Sequence, residues 1–296
     1  MSASNCKICG SSKTVFNFPS DSRVLKCSDC GIVFLAPEMT MANPGDYYSE
    51  RFRADKYTDE DTKKFLCEDS RELLKIIEKI RTQGNLLDIG ASIGMFVDEA
   101  NKHGYEAMGI EPSKNLVAKA RELSIPVTES TIEEFNTNRN FNLITMFHVF
   151  EHLAEPLKAL DKIRSIQSDR GLLIIEVPNI ESYLAKKDGI FWKFIALEHL
   201  FYFSDKTLSR VLENAGYKIV LTKKRNFELN RLNIRKLIGY FIGKKLAKDR
   251  FFVKKESQTD AFVKDSISKL LIRKLLLFLI SLLGREDHVL IIAQKL

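Results

Sequence analysis

Apolar and polar positions change rhythm several times along this chain. Near the N-terminus the short runs "TVFNF", "RVLKC" and "IVFLA" read as small strands. From Asp59 to Arg81 the rhythm lengthens, and Leu66, Leu73, Ile77 and Ile80 fall on one face of a helix. Compact apolar runs then alternate with amphipathic stretches. Strands are predicted at 85–89 ("NLLDI"), 105–111, near 125–128, at 141–147, 171–177 and 217–222, with a last one at 287–295 ("DHVLIIAQK"). Helices are predicted from Gly94 to His103, after Ser113 as N-cap, through "HVFEHLAEPLKALDKIRSI", and from Ser204 as N-cap to Gly216. Strands alternating with helices imply an α/β, doubly wound, mostly parallel sheet covered on both faces. The organisation read from this pattern is a ribbon over 1–36, a turn-rich linker over 37–58, an α/β domain over 59–222 and 287–296, and a helical insertion over 223–286.

Charge sharpens the picture of that insertion. The 296-residue chain carries a net +7, yet Lys223–Lys274 alone holds 16 Lys and Arg against 5 Asp and Glu. That surplus of +11 leaves the remainder near −4, so one segment carries the positive field. The segment ends in "SISKLLIRKLLLFLISLLGRED", whose apolar run is too short to span a bilayer. Three readings compete for it: a cap over a substrate pocket, a surface for peripheral association with an anionic membrane, and a grip on RNA phosphates. The basic stretch lacks the interleaved exposed aromatics of a single-strand platform, so nucleic acid is not the expected partner. A lysine-rich cap suits a small polar or phosphate-bearing substrate. The N-terminal residues show no apolar signal core, so a cytoplasmic setting is expected, with the inner membrane surface as the peripheral variant.

Four of the five cysteines form two pairs, Cys6/Cys9 and Cys27/Cys30, in a C-x2-C-x17-C-x2-C pattern. This spacing fits a tetrahedral, structural Zn2+ site, and a glycine follows each pair (Gly10, Gly31) to let the chain turn around a metal. With four protein ligands such a site has no open position for catalysis. Cys67 reads as a small core residue.

The strand at 85–89 runs into "DIGASIG", a loop that opens a helix at the carboxyl edge of the sheet, where α/β proteins bind ligands. Glu111 ends the next strand and can accept hydrogen bonds from ribose hydroxyls. These features alone suit NAD and S-adenosylmethionine about equally. The spacing D-x-G-x-x-x-G differs from the pyrophosphate-cradling G-x-G-x-x-G, and a carboxylate at Asp88, pointing into the loop, would repel a pyrophosphate but suit an ammonium group. "LITMFHVFEHL" and "GLLIIEVPN" follow in the order a methyl-transfer site needs.

With these motifs the sequence resembles the class I S-adenosylmethionine-dependent methyltransferases. More narrowly, it is similar to bacterial members that carry an N-terminal zinc ribbon and the stretch "EVPNIESYLAKKDGIFWKFIALEHLFYFSDKTLSRVLENAGY", a group that includes sugar C-methyltransferases. The resemblance covers about 5–222 and the last strand. It implies a seven-stranded sheet with an antiparallel last strand. It also implies that Asp88, Gly90, Ala91 and Gly94 line the methionine part of the cofactor, and that Glu111 holds the ribose. Pro112 and Ile132 would flank the adenine, and Phe147 and His148 would lie near the transferred methyl. Asn142 and Ser92 depart from the common pattern, standing where many relatives have an aspartate and a loop glycine.

Methyl transfer needs the acceptor held in line and, for many acceptors, a proton removed. Candidates are His148, Glu151, His152, His199 and Tyr202. His199, in an aromatic stretch with Phe191, Trp192, Phe194, Phe201, Tyr202 and Phe203 around it, is the leading base, with His148 second. The competing reading makes the stretch a lid with aromatics in the core. Glu151 reads as a structural hydrogen-bond acceptor. The leading function is methyl transfer to a sugar nucleotide, glycan precursor or similar small polar acceptor. The alternatives are an RNA methyltransferase and a non-catalytic zinc-ribbon binding module.

Overall fold

The computed structural model describes residues 5–18, 21–39, 59–81, 83–227, 275, 276, 278, 279 and 286–296. The linker from residue 40 and nearly all of the basic insertion lie outside the described residues, and with them the three readings of that insertion.

Runs of buried residues build the main sheet. Its strands are β4 (Asn85–Ile89), β5 (Glu106–Glu111), β6 (Val127–Glu129), β7 (Phe141–Phe147), β8 (Gln167–Pro178), β10 (Tyr217–Arg225) and β11 (His288–Lys295). They lie in the order β10-β11-β8-β7-β4-β5-β6. β11 runs antiparallel to both β8 and β10, and the other pairings are parallel. Leu87, Ile144, Met146, Leu173 and Ile175 pack on one face, Leu86, Leu143, Leu172 and Ile174 on the other. Both faces are covered, so the strands read as nearly continuous apolar runs.

The helices are α1 (Glu60–Ile77), α2 (Met95–Lys102), α3 (Lys114–Glu122), α4 (Pro156–Ile166), α5 (Tyr183–Asp188) and α6 (Asp205–Asn214). Local chemistry sets their ends. Asp59 caps α1 by accepting from the Thr62 N–H, and Ser204 and Thr207 form a reciprocal capping box on α6. α1 is shorter than its pattern suggested: Ile80 falls beyond the helix and is partly exposed, while Leu73, Leu74, Ile76 and Ile77 carry the packing. Cys67 on this helix is half-buried. Ser113 stands at the N-cap of α3 as expected, yet its hydroxyl makes no capping bond. β10 extends to Arg225, three residues past the expected boundary.

A second sheet carries a connection the sequence pattern did not announce. β1 (Thr14–Phe18), β2 (Asp21–Cys27) and β3 (Val33–Leu35) form an antiparallel ribbon, and its fourth strand is β9 (Phe201–Tyr202). Val33 pairs with Tyr202 and Phe34 with Phe201. Cys6, Cys27, Ile32 and Phe34 belong to the same buried cluster as Ile144, Leu173 and Leu208. Val24 and Val33 pack with Ala185, Trp192 and Tyr202. The ribbon therefore shares its core and one of its strands with the α/β part of the chain. Among the described residues no helix is long and apolar enough to cross a membrane.

Candidate active site

The glycine-containing loop is held by its own backbone. The N–H groups of Gly90 and Ala91 both donate to the Ile110 carbonyl (2.8 and 3.0 Å), and Gly94 N–H donates to Ala91 (2.8 Å). Gly94 takes φ +83°, and a Cβ there would meet Ile125 at 2.5 Å, so only glycine fits. Ser92 also takes a left-handed φ of 52°. An L-residue pays about 1 kcal/mol or more for that conformation, and the buried Ser92 hydroxyl has no hydrogen-bond partner. Ser92→Gly is expected to stabilise the fold by about 1 kcal/mol, measured by urea unfolding; a lower midpoint would show that the hydroxyl has a compensating role.

Glu111 organises the loop from the next strand. One carboxylate oxygen accepts from Ser92 N–H and the other from Ser113 N–H, each at 3.0 Å. Each oxygen keeps a second lone-pair site. The Ser92 and Ser113 hydroxyls on either side are buried and unpartnered. A carboxylate with spare acceptor sites between two orphaned hydroxyls fits a ligand that presents paired hydroxyl groups, as a ribose does. Pro112 beside it is exposed, and Ile132 is buried in the same core cluster as Ile110.

Asp88, expected to point into the loop, is buried near the end of β4. The pleat of β4 turns it onto the Leu86 face, in register with Thr145 of β7. There it is 3% exposed and accepts the Thr145 hydroxyl at 2.7 Å. Burial pushes its carboxyl up to about 7, with the Thr145 hydrogen bond opposing and Glu111 adding to the rise. A ligand ammonium nearby would favour the charged form.

The strand ends on the other side of the loop bring together the histidines. Phe147 packs edge-on against Phe96. His148 follows in a left-handed φ of 59°, its N–H bonded to the Glu176 carbonyl (2.9 Å) and its Nε2 3.7 Å from the Glu176 carboxylate. Desolvation, with the neighbouring His288 and Arg225, holds its imidazole well below the usual pKa, so it is neutral near pH 7. With 28% of its side chain exposed it remains reachable. His199, 8% exposed, stacks on Phe194 (5.6 Å), and Phe194 also meets His288 edge-on (5.4 Å). His288 meets His148 at 4.8 Å, and His152 meets His199 at 4.7 Å. Tyr202 lies 6.4 Å from His199, but Phe191 is 83% exposed and takes no part. Glu151, read as a structural hydrogen-bond acceptor, finds no donor for its carboxylate in any other residue. It is 1% exposed, and burial pushes its carboxyl up to about 8 against the pull of its own backbone N–H.

Several groups at this edge were not read from the sequence. Arg225, at the end of β10, forms buried ion pairs with Glu176 and with Asp69 of α1 (2.6 Å to the latter). Desolvation raises the Asp69 carboxyl to about 6 against the pull of Arg225. His288 is buried and bonded to Asp287 (2.7 Å), whose carboxylate also accepts from Phe227 N–H. The one signal available was position: Glu176, Arg225 and His288 all sit at strand ends on the carboxyl edge.

At the ribbon, the ligand atoms of Cys6, Cys9, Cys27 and Cys30 lie within 4.8 Å of one another. Two sulfur pairs stand 3.6 and 3.5 Å apart (Cys6–Cys30, Cys9–Cys27). That is far longer than a disulfide and near the ~3.8 Å edge of a tetrahedral zinc–thiolate site. Gly10 N–H returns to the Cys6 carbonyl and Gly31 N–H to the Cys27 carbonyl (2.7 and 3.0 Å), making two equivalent knuckles. The donor set is consistent with zinc.

Residues 58–222, more than half of the chain, match the model of a family described as a methyltransferase domain. The chain belongs to that methyltransferase-domain family. A ubiquinone biosynthesis O-methyltransferase of Bradyrhizobium sp. is 25% identical over 100 residues, which is 32% of this chain and 40% of that protein. The methyltransferase fold recurs in a SAM-dependent methyltransferase from Archaeoglobus fulgidus (21% identity, TM-score 0.51, covering 76% of this chain and 92% of that one). It recurs again in phosphoethanolamine N-methyltransferase 2 of Haemonchus contortus, bound to S-adenosyl-L-methionine (15% identity, TM-score 0.51, 77% and 52%). Within this methyltransferase fold the Gly90–Gly94 loop, Glu111 and the histidine cluster share the carboxyl edge of one sheet.

Proposed function

We propose that this methyltransferase moves a methyl group from S-adenosylmethionine to an oxygen of a small polar acceptor, a sugar nucleotide or glycan precursor being the favoured class. One observation carries the reading: His148, His152, His199 and His288 converge, with Phe194 among them, at the strand ends that flank the cofactor loop. Bound S-adenosylmethionine supplies an activated methyl on a sulfonium. The chain's own residues then have three tasks. Glu111, Ser92 and Ser113 seat the ribose end, and Asp88 answers the ammonium end. Phe194 and His199 offer an apolar face and a polar edge to the acceptor. His148, neutral and partly exposed, takes the acceptor proton. Oxygen as the acceptor atom is supported by the O-methyltransferase names of the curated relatives. A phosphate-bearing acceptor is supported by the exposed Lys223 and Lys224 on β10, at the start of the basic segment. The four-cysteine centre holds zinc in a structural role on this reading.

A release assay for S-adenosylhomocysteine across nucleotide sugars, glycan precursors and RNA tests this reading. Turnover with RNA alone would favour the competing function. By misplacing the acceptor, His199→Ala should lower turnover by about 100-fold, with the S-adenosylmethionine Kd held within about threefold. Unchanged turnover would remove His199 from the acceptor site.

A further inference from the structure

We infer that Glu151, His152 and His199 form a second cation site, one that binds a divalent transition ion beside the methyl-transfer centre. Each residue offers one ligand atom, and the three atoms lie within 4.8 Å of one another. Ligands around a bound ion stand roughly 3–3.5 Å apart, so the side chains need close by no more than about 1.8 Å.

Two independent observations point to a ligand. The first is Glu151. It is buried, yet no other residue donates a hydrogen bond to either oxygen, and a buried carboxylate with so little compensation is costly. Its environment is also settled by the fold rather than by a loose loop: it lies in the 3-10 turn Phe150–His152, and its carbonyl accepts from Leu200 N–H at 2.9 Å. A cation would satisfy both oxygens without a donor from the protein.

The second observation is the tautomer of His152. Its Nδ1 stands 2.7 Å from the Glu198 carbonyl, which can only accept. Nδ1 must therefore carry the proton, and the lone pair sits on Nε2. A ligating histidine almost always fixes its tautomer through such a bond on its other nitrogen. Here the bond comes from the residue that precedes His199, the third member of the trio. The two segments that supply the ligands are thus tied together at both the carbonyl of Glu198 and the N–H of Leu200.

Two imidazoles and one carboxylate suit ions of the manganese, iron, cobalt and zinc class better than magnesium or calcium, which favour all-oxygen sets. Three protein ligands leave coordination positions open, in contrast to the closed four-cysteine centre. On the functional reading above, an acceptor hydroxyl occupies one of them. Its O–H bond breaks, the proton passes to the neutral His148 imidazole, and the electron pair stays on the oxygen that receives the methyl. This role rests on the methyl-transfer reading; the binding of the ion does not.

The test uses the full chain with its cysteine centre loaded with zinc, titrated with Mn2+ and followed by the electron paramagnetic resonance of free and bound ion. One Mn2+ per chain is expected, with affinity at least tenfold weaker in Glu151→Gln and in His152→Ala. Circular dichroism and the S-adenosylmethionine Kd, both expected unchanged, show that the variants are folded. Absence of a saturable Mn2+ site, or affinity indifferent to both substitutions, would overturn the assignment. S-adenosylhomocysteine release that continues without the second ion would confine the failure to the cation site. Saturable binding that the variants abolish, with no methyl transfer to any acceptor, would leave the site standing and sink the methyl-transfer reading instead.

Discussion

Replacing Glu111 with alanine should weaken S-adenosylmethionine binding by about 100-fold or more. The carboxylate holds the loop by Ser92 N–H and the start of α3 by Ser113 N–H, and on the proposed reading it receives the ribose hydroxyls. Hydrogen bonds to a charged partner contribute roughly 1.5–3 kcal/mol each, and 1.4 kcal/mol is a factor of ten in affinity. Losing even one cofactor contact and half of the loop's anchoring reaches two orders of magnitude. Glu111→Gln separates the parts. Its amide oxygen can still accept from one backbone N–H, but its NH2 faces the other donor, so an intermediate loss is expected. Isothermal titration calorimetry on both variants makes the comparison. Wild-type affinity in Glu111→Ala would mean that the ribose lies elsewhere.

The second large effect is expected at a distance from the chemistry. Cys27→Ser should abolish zinc retention and cut methyl transfer by at least about tenfold, while S-adenosylmethionine affinity stays within about threefold. The reason is the shared strand. β3 holds β9 by the Val33–Tyr202 and Phe34–Phe201 pairs, and Leu35 N–H reaches the Leu200 carbonyl. Arg210 of α6 and Lys7 add further ties, to the Cys30 carbonyl and to Glu155. Folding free energy of such a ribbon comes largely from its metal. Without it the segment that carries His199 loses its support, whereas the Gly90–Gly94 loop lies on other elements. Hydrogen exchange should show lost protection at 199–203 and retained protection at 88–94. Equal protection in both regions, with full turnover, would make the ribbon dispensable to the site.

How much of this was legible in the chain depends on the range over which each feature is decided. The main sheet follows from apolar runs, because a strand covered on both faces must be apolar throughout. The knuckles follow from C-x2-C with a glycine after it, and Gly94 from the turn it makes; these are local. β9 was not legible. Two residues, Phe201 and Tyr202, carry no period, and their partners lie far back in the ribbon. The burial of Asp88 was not legible because its neighbour Thr145 comes from another strand. The ion pairs of Arg225 with Asp69 and Glu176 join three elements widely spaced along the chain. Ser113 holds the N-cap position that its residue type announced, but Glu111 takes its N–H and its hydroxyl is left over.

The β3–β9 pairing also orders events in time. The cysteine knuckles leave the ribosome before any strand of the main sheet and can gather a metal as soon as Cys30 is out. Their sheet cannot be finished until Tyr202 has been made, after five of the seven strands of the main sheet have been synthesised. Contacts so distant along a chain form slowly. The ribbon, made before the main sheet, is therefore completed late, and its edge strand must wait beside a growing chain for a partner of only two residues.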